Sequence, residues 1–237
     1  MVAVFRYICI MMKKWVFVIS VYLFYIQSYA QIDSTFVDDK YFEDQFYIGF
    51  NYNSLLDQPE NFSQNGLSGG IELGYTRDIP INKERNFGLG IGVGYAFNSY
   101  IQNMKITSLA NETVFEVISS ELYSKNRLIT HLIEVPITIR WRTSTPAKYK
   151  FWRVYGGAKL GYVFSSLSRY EDSIETIKTR NIDELKGLQY GLTLAVGYGS
   201  LNLHLYYGLN DMFKDAEVNN EPIDIKQFNI GLIFYML

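Results

Sequence analysis

The sequence predicts an all-β fold, an eight-stranded antiparallel transmembrane β-barrel with short periplasmic turns and longer extracellular loops. Three observations lead to this prediction. An export signal precedes the fold, no later segment approaches the roughly 18 consecutive apolar residues of a transmembrane helix, and long segments alternate between apolar and small or polar residues. The 237 residues also include 20 Tyr, 16 Phe and 18 Gly, a composition typical of outer-membrane barrels with aromatic girdles.

Residues 1–30 predict a signal peptide. Lys13 and Lys14 precede an apolar run over 15–26, and Ser28-Tyr29-Ala30 supplies the small residues that a signal peptidase reads. We expect cleavage after Ala30. An uncleaved anchor is the less favoured alternative, because the apolar run is short for a membrane span. The translation start stays open among three methionines, Met1, Met11 and Met12.

The rest of the chain divides into a periplasmic leader, 31–45, and the barrel, 46–237. The only cysteine, Cys9, lies in the signal peptide, so we expect no disulfide and no lipid anchor on cysteine. Without the signal's three cations the formal net charge falls from −2 to about −5, which argues against a nucleic-acid partner. No nucleotide or metal-ligand motif is present, so we expect no cofactor and no metal.

Eight segments in which apolar residues recur with a period of two predict the strands. The first four segments are 46–53, 69–77, 86–100 and 131–142. Their apolar faces consist, in the same order, of Phe46, Ile48, Phe50 and Tyr52; Ile71, Leu73 and Tyr75; Phe87, Leu89, Ile91, Val93, Tyr95 and Phe97; and Ile133, Val135, Ile137, Ile139 and Trp141. The same alternation continues in the last four, 151–164, 188–198, 201–209 and 227–237. An apolar face toward lipid and a small or polar face inward is the pattern of membrane barrels.

The turn type and the lengths of the connections support a barrel of eight consecutive antiparallel strands. Gly199-Ser200 is a two-residue turn with glycine first, which favours a type II′ hairpin that pairs Tyr198 with Leu201. The other connections alternate between short and long, so we expect the short turns and both termini in the periplasm. Residues 98–130 are expected to extend two strands beyond the membrane. The acidic long loops are expected to form a solvated surface toward lipopolysaccharide.

Four glycines alternate with large apolar residues in the third segment: Gly88, Gly90, Gly92 and Gly94. Their side of the strand faces the lumen of the predicted barrel. Side chains only just fit inside an eight-stranded barrel, so we expect these glycines to concede space to inward groups of other strands.

Inward-facing charges suggest a plugged lumen. The predicted structural cluster consists of Glu72, Glu134, Arg140, Arg153 and Lys159, with Arg142 and His204 also inward. Buried charges have to be paired, so a salt-bridge plug is favoured over the alternative of a narrow ion path. If Trp141 faces Trp152, Glu134 falls directly opposite Lys159. Pro136 faces inward in mid-strand, where we expect a bulge or bend.

Catalysis is the weaker hypothesis. Outer-membrane barrels that modify lipid A use histidine with serine and a carboxylate, and the barrel segment contains two histidines. His131 has Ser119, Ser120 and Glu121 upstream, while His204 points inward near Ser200. We expect an interfacial residue and a lumen residue, respectively, and no enzyme.

Two stretches carry a resemblance to a known family. HLIEVPITIRWR at 131–142 resembles the "L-E-[IV]-P-[LI]-x-[IL]-[KR]" strand of PorT-type barrels, an outer-membrane β-barrel family common in Bacteroidota, and FWRVYGGAKLGYVFSS at 151–166 resembles that family's "rPYvxGGxkxs" strand. The matching positions are Glu134, Pro136, Arg140, Tyr155, Gly156, Gly157 and Lys159. The resemblance covers about 46–237 and implies that Glu134 and Lys159 face the lumen.

The resemblance also suggests a function, because the founding PorT member is linked to type IX protein secretion and gliding. The sequence therefore predicts a non-enzymatic outer-membrane component whose partners are membrane lipid, lipopolysaccharide and secretion-translocon proteins. The alternatives are a free-standing structural or adhesion barrel and, less favoured, a lipid-modifying enzyme or narrow channel. The cationic turn 143–150 is a candidate docking segment, although a solvated turn is favoured there.

Overall fold

The computed structural model of the chain describes residues 44–64, 66–109, 112–143 and 151–236. The predicted signal peptide, nearly all of the leader and almost the whole turn 143–150 lie outside these ranges. Cleavage after Ala30 and docking through that turn therefore stay predictions.

The described residues form thirteen strands and one short 3₁₀ helix, Ser120–Leu122. The strands are β1 (Gln45–Leu56), β2 (Gly69–Pro80), β3 (Phe87–Ile101), β4 (Met104–Leu109), β5 (Glu112–Val117), β6 (Lys125–Arg142), β7 (Trp152–Glu171), β8 (Thr176–Arg180), β9 (Leu188–Tyr198), β10 (Leu201–Gly208), β11 (Glu217–Val218), β12 (Glu221–Pro222) and β13 (Lys226–Met236).

Eight of these strands close into an antiparallel barrel. Their order is β6-β3-β2-β1-β13-β10-β9-β7, and the pairing of β6 with β7 completes the circle. Closure gives every strand two neighbours, so no barrel edge is left with unpaired backbone groups. The predicted fold class is confirmed. The structure describes no helix that is long and apolar enough to span a membrane.

Side chains alternate between the lumen and the outside along each barrel strand. On β6, Ile133, Ile137 and Ile139 are exposed on the outer face, whereas Arg140 and Arg142 are buried inside. Large exposed apolar residues recur on the outer faces of all eight barrel strands. This is the arrangement that a lipid environment requires, with apolar side chains outward and polar ones inward.

The tight hairpin between β9 and β10 agrees with the sequence. Tyr198 pairs with Leu201, and Gly199 has a φ of +64°, a conformation that favours glycine. We call the end of the barrel that carries this turn the short-turn end. The opposite end, where the connections 57–68, 102–124, 172–187 and 209–225 lie, is the long-loop end.

The assumed register between β6 and β7 is wrong by two residues. Trp141 lies opposite Val154, not Trp152. The reason is in the turn, where the Thr143 N–H donates to the Trp152 carbonyl (3.0 Å) and sets Thr143 opposite Trp152.

Pro136 does not produce the expected bulge. The register shift on β6 lies between His131 and Leu132 instead, against β7. Beside Pro136 the ladder with β3 has no paired residues at positions 135 and 136, yet the register is the same on both sides of this gap. The missing N–H of proline is thus accommodated by a local interruption of the ladder.

The long loops fold into a second hydrophobic core, contrary to the expectation of a merely solvated surface. We call this core the loop cap. Its buried residues are Leu55, Phe62, Tyr100, Met104, Ile106, Phe115, Leu128, Ile182, Leu185, Met212, Phe213, Ala216, Val218, Ile223 and Ile225. The β4–β5 hairpin is a separate two-stranded sheet and contributes Met104, Ile106 and Phe115 to this core. The expected extension of two strands over 98–130 is therefore present only at its ends, where β3 continues to Ile101 and β6 begins at Lys125. The cap draws on all four long connections and on the ends of their strands.

Candidate functional site: the charged lumen

A buried charge cluster lies inside the barrel, between the loop cap and the short-turn end. Lys159 of β7 places its ammonium 2.6 Å from a Glu72 carboxylate oxygen and 3.2 Å from a Glu134 oxygen. The imidazole Nδ1 of His204 lies 2.9 Å from the other Glu72 oxygen. We call these four residues the lumen cluster. They come from β2, β6, β7 and β10, so closure of the barrel is what assembles them.

The contact between Glu134 and Lys159 is diagonal. Lys159 lies opposite Pro136, and Glu134 lies opposite Gly161. A Cβ at position 161 would be 3.0 Å from Leu132 Cδ2 but in ordinary contact, at 4.0 Å, with Glu134 Cγ. Diagonal neighbours are within reach of long side chains. Glu134 and Lys159 therefore form the expected ion pair, but as diagonal neighbours and not as directly opposite residues.

The ring of His204 is held at both nitrogens. Its Nδ1 lies between Glu72 and Asn51, and its Nε2 lies beside Thr193. In the neutral tautomer that carries its proton on Nδ1, His204 donates to Asn51 Oδ1, 3.3 Å away, and Nε2 accepts from the Thr193 hydroxyl, 2.9 Å away. Thr193 lies on the neighbouring strand β9, whereas Asn51 and Glu72 come from β1 and β2, which do not pair with β10.

Thr193, His204 and Glu72 lie in the order of a hydroxyl–imidazole–carboxylate relay, with a hydrogen bond between Thr193 and His204 and a 2.9 Å contact between His204 and Glu72. The sequence pointed to Ser200 as the hydroxyl near His204, whereas the structure places Thr193 there. The adjoining cavity measures only about 30 Å³ and is lined by Tyr47, Lys159 and the relay residues, among others. A cavity of this size holds only a few water molecules. The relay therefore has no room for a lipid or peptide substrate.

Arginines fill the short-turn end of the lumen. Arg142 forms a buried ion pair with Asp78. Arg140 donates to Gln45 Oε1 (3.1 Å), and its guanidinium lies 4.5 Å from the centre of the Tyr155 ring. Aromatic faces and amide oxygens are favourable partners for a desolvated guanidinium.

Arg153 is bound separately, by the Gly199 carbonyl of the tight turn and by the face of Phe151, 4.4 Å from its guanidinium. The structure therefore joins Glu72, Glu134 and Lys159 in one cluster and places Arg140 and Arg153 in another layer.

Asp78 is the functional residue that the sequence reasoning missed. The predicted second strand ended at residue 77, but β2 continues to Pro80. The signal was present, because the alternation that puts Glu72 inward also puts residue 78 inward.

The four glycines of β3 face the lumen and lie against bulky groups. A Cβ at Gly90 would overlap the Arg140 guanidinium, and one at Gly94 would overlap the Tyr47 hydroxyl. At Gly92 it would be 2.7 Å from Thr76 Oγ1, and at Gly88 2.7 Å from Asp78 Oδ1. The glycines therefore provide the space that large inward side chains of other strands occupy.

Substitution of Gly94 tests this packing. We expect Gly94→Val to lower the free energy of unfolding by about 1–3 kcal/mol, because the barrel wall cannot move outward to relieve the overlap with Tyr47. Urea titration of the refolded barrel in detergent micelles measures the change. Val93→Leu is the matched control, since Val93 is exposed on the outer face of the same strand. A Gly94→Val barrel as stable as the control would contradict the packing account.

His131 belongs to an aromatic group on the outer face. Its Nδ1 is hydrogen-bonded to the Tyr95 hydroxyl (2.7 Å), and its ring centre lies 5.4 Å from that of Phe97 and 6.1 Å from that of Phe164. These contacts are typical of an interfacial girdle. The described residues show no hydrogen bond between His131 and the upstream Ser119 or Glu121, and they contain no group of three or more candidate metal ligands.

A match to a known family agrees with this architecture. The sequence matches the family described as "Outer membrane protein beta-barrel domain" over residues 29–214. No functionally curated protein matches it. Solved structures with a similar barrel include Ail, the attachment invasion locus protein of Yersinia pestis, at 12% identity and a TM-score of 0.37, covering 81% of this chain and 97% of that one. The same protein in complex with the heparin analogue sucrose octasulfate matches at 13% identity and a TM-score of 0.37, covering 82% and 99%. Over most of its length, the chain belongs to the outer membrane protein β-barrel domain family.

Proposed function

We propose that this outer-membrane barrel is a non-enzymatic, non-conducting accessory component of protein secretion, of the PorT type, which binds its partners through the loop cap. The main support is that the lumen cluster and the arginines occupy the lumen while the long loops share a hydrophobic core. Within the described part of the lumen the cavity at the lumen cluster is only about 30 Å³, so we expect the barrel to act through its surfaces. The loop cap is the largest folded structure that the described chain builds outside the barrel wall.

The ordered core of the cap favours binding. Phe115 and Phe213, which come from different loops, meet edge to face with ring centres 5.5 Å apart. Loops held by such a core lose little conformational entropy when a partner binds, so a preorganised surface binds more tightly than a flexible one. The secretion role itself rests on the resemblance of 131–142 and 151–166 to the PorT strands.

The proposed orientation follows from the alternation of connection lengths. Short turns and both termini face the periplasm, and the cap faces outward. Outer-membrane lipid then surrounds the apolar wall, and lipopolysaccharide borders the cap.

Exposed apolar residues on the long loops favour adhesion as a second candidate. Ile174 is 92% exposed at the tip between β7 and β8, and Leu67 is 81% exposed before β2. Apolar side chains displayed at loop tips are typical of contact sites. A free-standing adhesion barrel would use the same surface for a different partner.

Affinity purification distinguishes the secretion accessory from the free-standing adhesion barrel. The tagged barrel is isolated from gently solubilised outer membranes, and co-eluting proteins are identified by mass spectrometry. We expect translocon subunits in near-stoichiometric amount with the wild type and their loss with Leu67→Ser combined with Ile174→Ser. The control is Ile81→Ser, an exposed apolar residue at the short-turn end. A wild-type barrel that elutes alone would contradict the secretion role and leave the adhesion barrel.

A further inference from the structure

A row of cations crosses three adjacent strands at the long-loop end of the barrel, farther out along β6 than His131. Arg127 of β6 pairs with Arg169 of β7, and Arg169 pairs with Lys178 of β8. We call these three residues the cationic row. Arg180 lies one row closer to the membrane, opposite Leu167.

The side chains of the row point outward. Their chain neighbours Asn126, Leu128, Ser168, Tyr170 and Thr179 are buried on the inner side of the same sheet. Lys178 and Arg180 are exposed, and Arg169 is partly exposed. Successive residues of a strand point to opposite faces, so the row forms one continuous outer patch.

Such a row is unfavourable by itself. Like charges directly opposite one another on neighbouring strands destabilise a sheet. Among the described residues, only Arg169 of this row forms an ion pair, with Glu171 at 2.9 Å. The Asp172 carboxylate at the adjacent turn accepts from the Ile174 and Glu175 N–H groups and from the Tyr170 hydroxyl, which occupies three of its roughly four acceptor sites.

Two donors in the patch lack acceptors. The Nε atoms of Arg127 and Arg169 are buried without a hydrogen-bond partner in the described part of the chain. A buried donor left unsatisfied costs free energy that an added acceptor would recover. A multivalent oxyanion fits both features, because guanidinium groups bind phosphate oxygens through paired N–H donors.

The height of the row identifies where such an anion would come from. His131, in the aromatic girdle, lies four residues before Arg127 along β6. At about 3.3 Å per residue this is roughly 13 Å along the strand, or about 10 Å along the membrane normal for a strand tilted by about 40°. Arg180 lies about half that far out. Side chains of this length reach the level of lipid headgroups.

We infer that the cationic row, together with Arg180, is a binding site for the phosphate groups of a lipid headgroup, namely those of lipid A in the outer leaflet. This site uses the orientation given in the proposed function, with the long-loop end outward, but not the secretion role. The lipid would be held by its phosphates at the row and by its acyl chains along the apolar wall below.

Native mass spectrometry of the detergent-solubilised full barrel tests the site. The barrel is titrated with bis-phosphorylated lipid A. We expect Arg127→Gln combined with Lys178→Gln to lower lipid occupancy by about tenfold or more, while leaving the Arg169–Glu171 pair intact. The matched control is Lys83→Gln combined with Lys214→Gln, which removes the same charge from exposed positions elsewhere. The control is expected to bind like the wild type.

Three results would overturn the inference. Equal binding of dephosphorylated lipid A by the wild type would assign recognition to the acyl chains. An equal loss in the control would indicate nonspecific charge attraction. Full displacement of lipid A by millimolar inorganic phosphate would assign the row to free phosphate. Heat-dependent gel mobility verifies that each variant is folded. If the double variant does not fold, Lys178→Gln alone removes one charge of the row from the edge strand β8 and disturbs the fold less. None of these outcomes depends on co-purified secretion proteins.

Discussion

Replacement of Lys159 by methionine is expected to destabilise the barrel by about 3–5 kcal/mol. Lys159 is the cation between Glu72 and Glu134, at 2.6 Å and 3.2 Å from their oxygens. Its loss leaves two carboxylates buried close together with the imidazole of His204 as the remaining partner. Breaking a buried ion pair from one side is costly because the uncompensated charge stays in a poorly polarisable environment.

The measurement is urea-induced unfolding of the refolded barrel, followed by tryptophan fluorescence and by gel mobility. The informative control is the triple variant Glu72→Gln, Glu134→Gln and Lys159→Met, which removes the charges together. We expect it to recover most of the lost stability, because neutral amides can donate to each other, whereas two ionised carboxylates only accept and also repel each other. If Lys159→Met unfolds within about 1 kcal/mol of the wild type, the lumen cluster does not hold the strands together.

Truncation of Phe213 is expected to open the loop cap without unfolding the barrel. Phe213 is buried in the cap core and packs on Phe115. A buried Phe→Ala substitution costs about 3–5 kcal/mol, and here the loss falls on loops whose own core is small. We therefore expect rapid amide hydrogen exchange and proteolytic cleavage within 102–124 and 209–225, with the barrel strands still protected.

Ile174→Ala provides the comparison. Ile174 belongs to the same end of the molecule but is almost fully exposed, so its truncation is expected to change stability by no more than about 0.5 kcal/mol. Equal protection of the loops in Phe213→Ala and Ile174→Ala would contradict an ordered cap core.

The barrel wall can be predicted from the sequence because the face on which each residue lies depends only on its position within its own strand. A period of two assigns each residue to lipid or lumen without knowledge of its partners, and the predicted bounds of β9 agree with the structure. The Tyr198–Leu201 pair followed from a two-residue turn whose geometry fixes its own register. Where a longer turn joins β6 to β7, the register depended on contacts of Thr143 that no periodicity specifies.

The lumen was only partly predictable for the same reason. Alternation identified Glu72, Glu134 and Lys159 as inward, but which of them meet depends on strand stagger and closure. Thr193 shows the limit clearly, because its hydroxyl reaches His204 only after β9 and β10 have paired. Asp78 is absent from the predicted inward set for a simpler reason, because the predicted second strand ends at residue 77 and β2 continues to Pro80.

The loop cap could not be predicted from pattern. Its residues, among them Phe62, Phe115 and Phe213, are separated by whole barrel strands and show no shared period. They form one core only because antiparallel strands bring alternate connections to the same end. The apolar residues within these acidic loops were the available signal that the loops are not merely solvated.

Conductance of the purified barrel in planar lipid bilayers tests the central claim most directly. The claim is that the loop cap, the lumen cluster and the arginine layer at the short-turn end close the lumen at three levels. We predict no discrete single-channel steps for the wild-type barrel under voltages at which a refolded porin conducts in the same bilayer. Reproducible ion-conducting steps from the folded, wild-type barrel would contradict the closed lumen and favour a narrow channel.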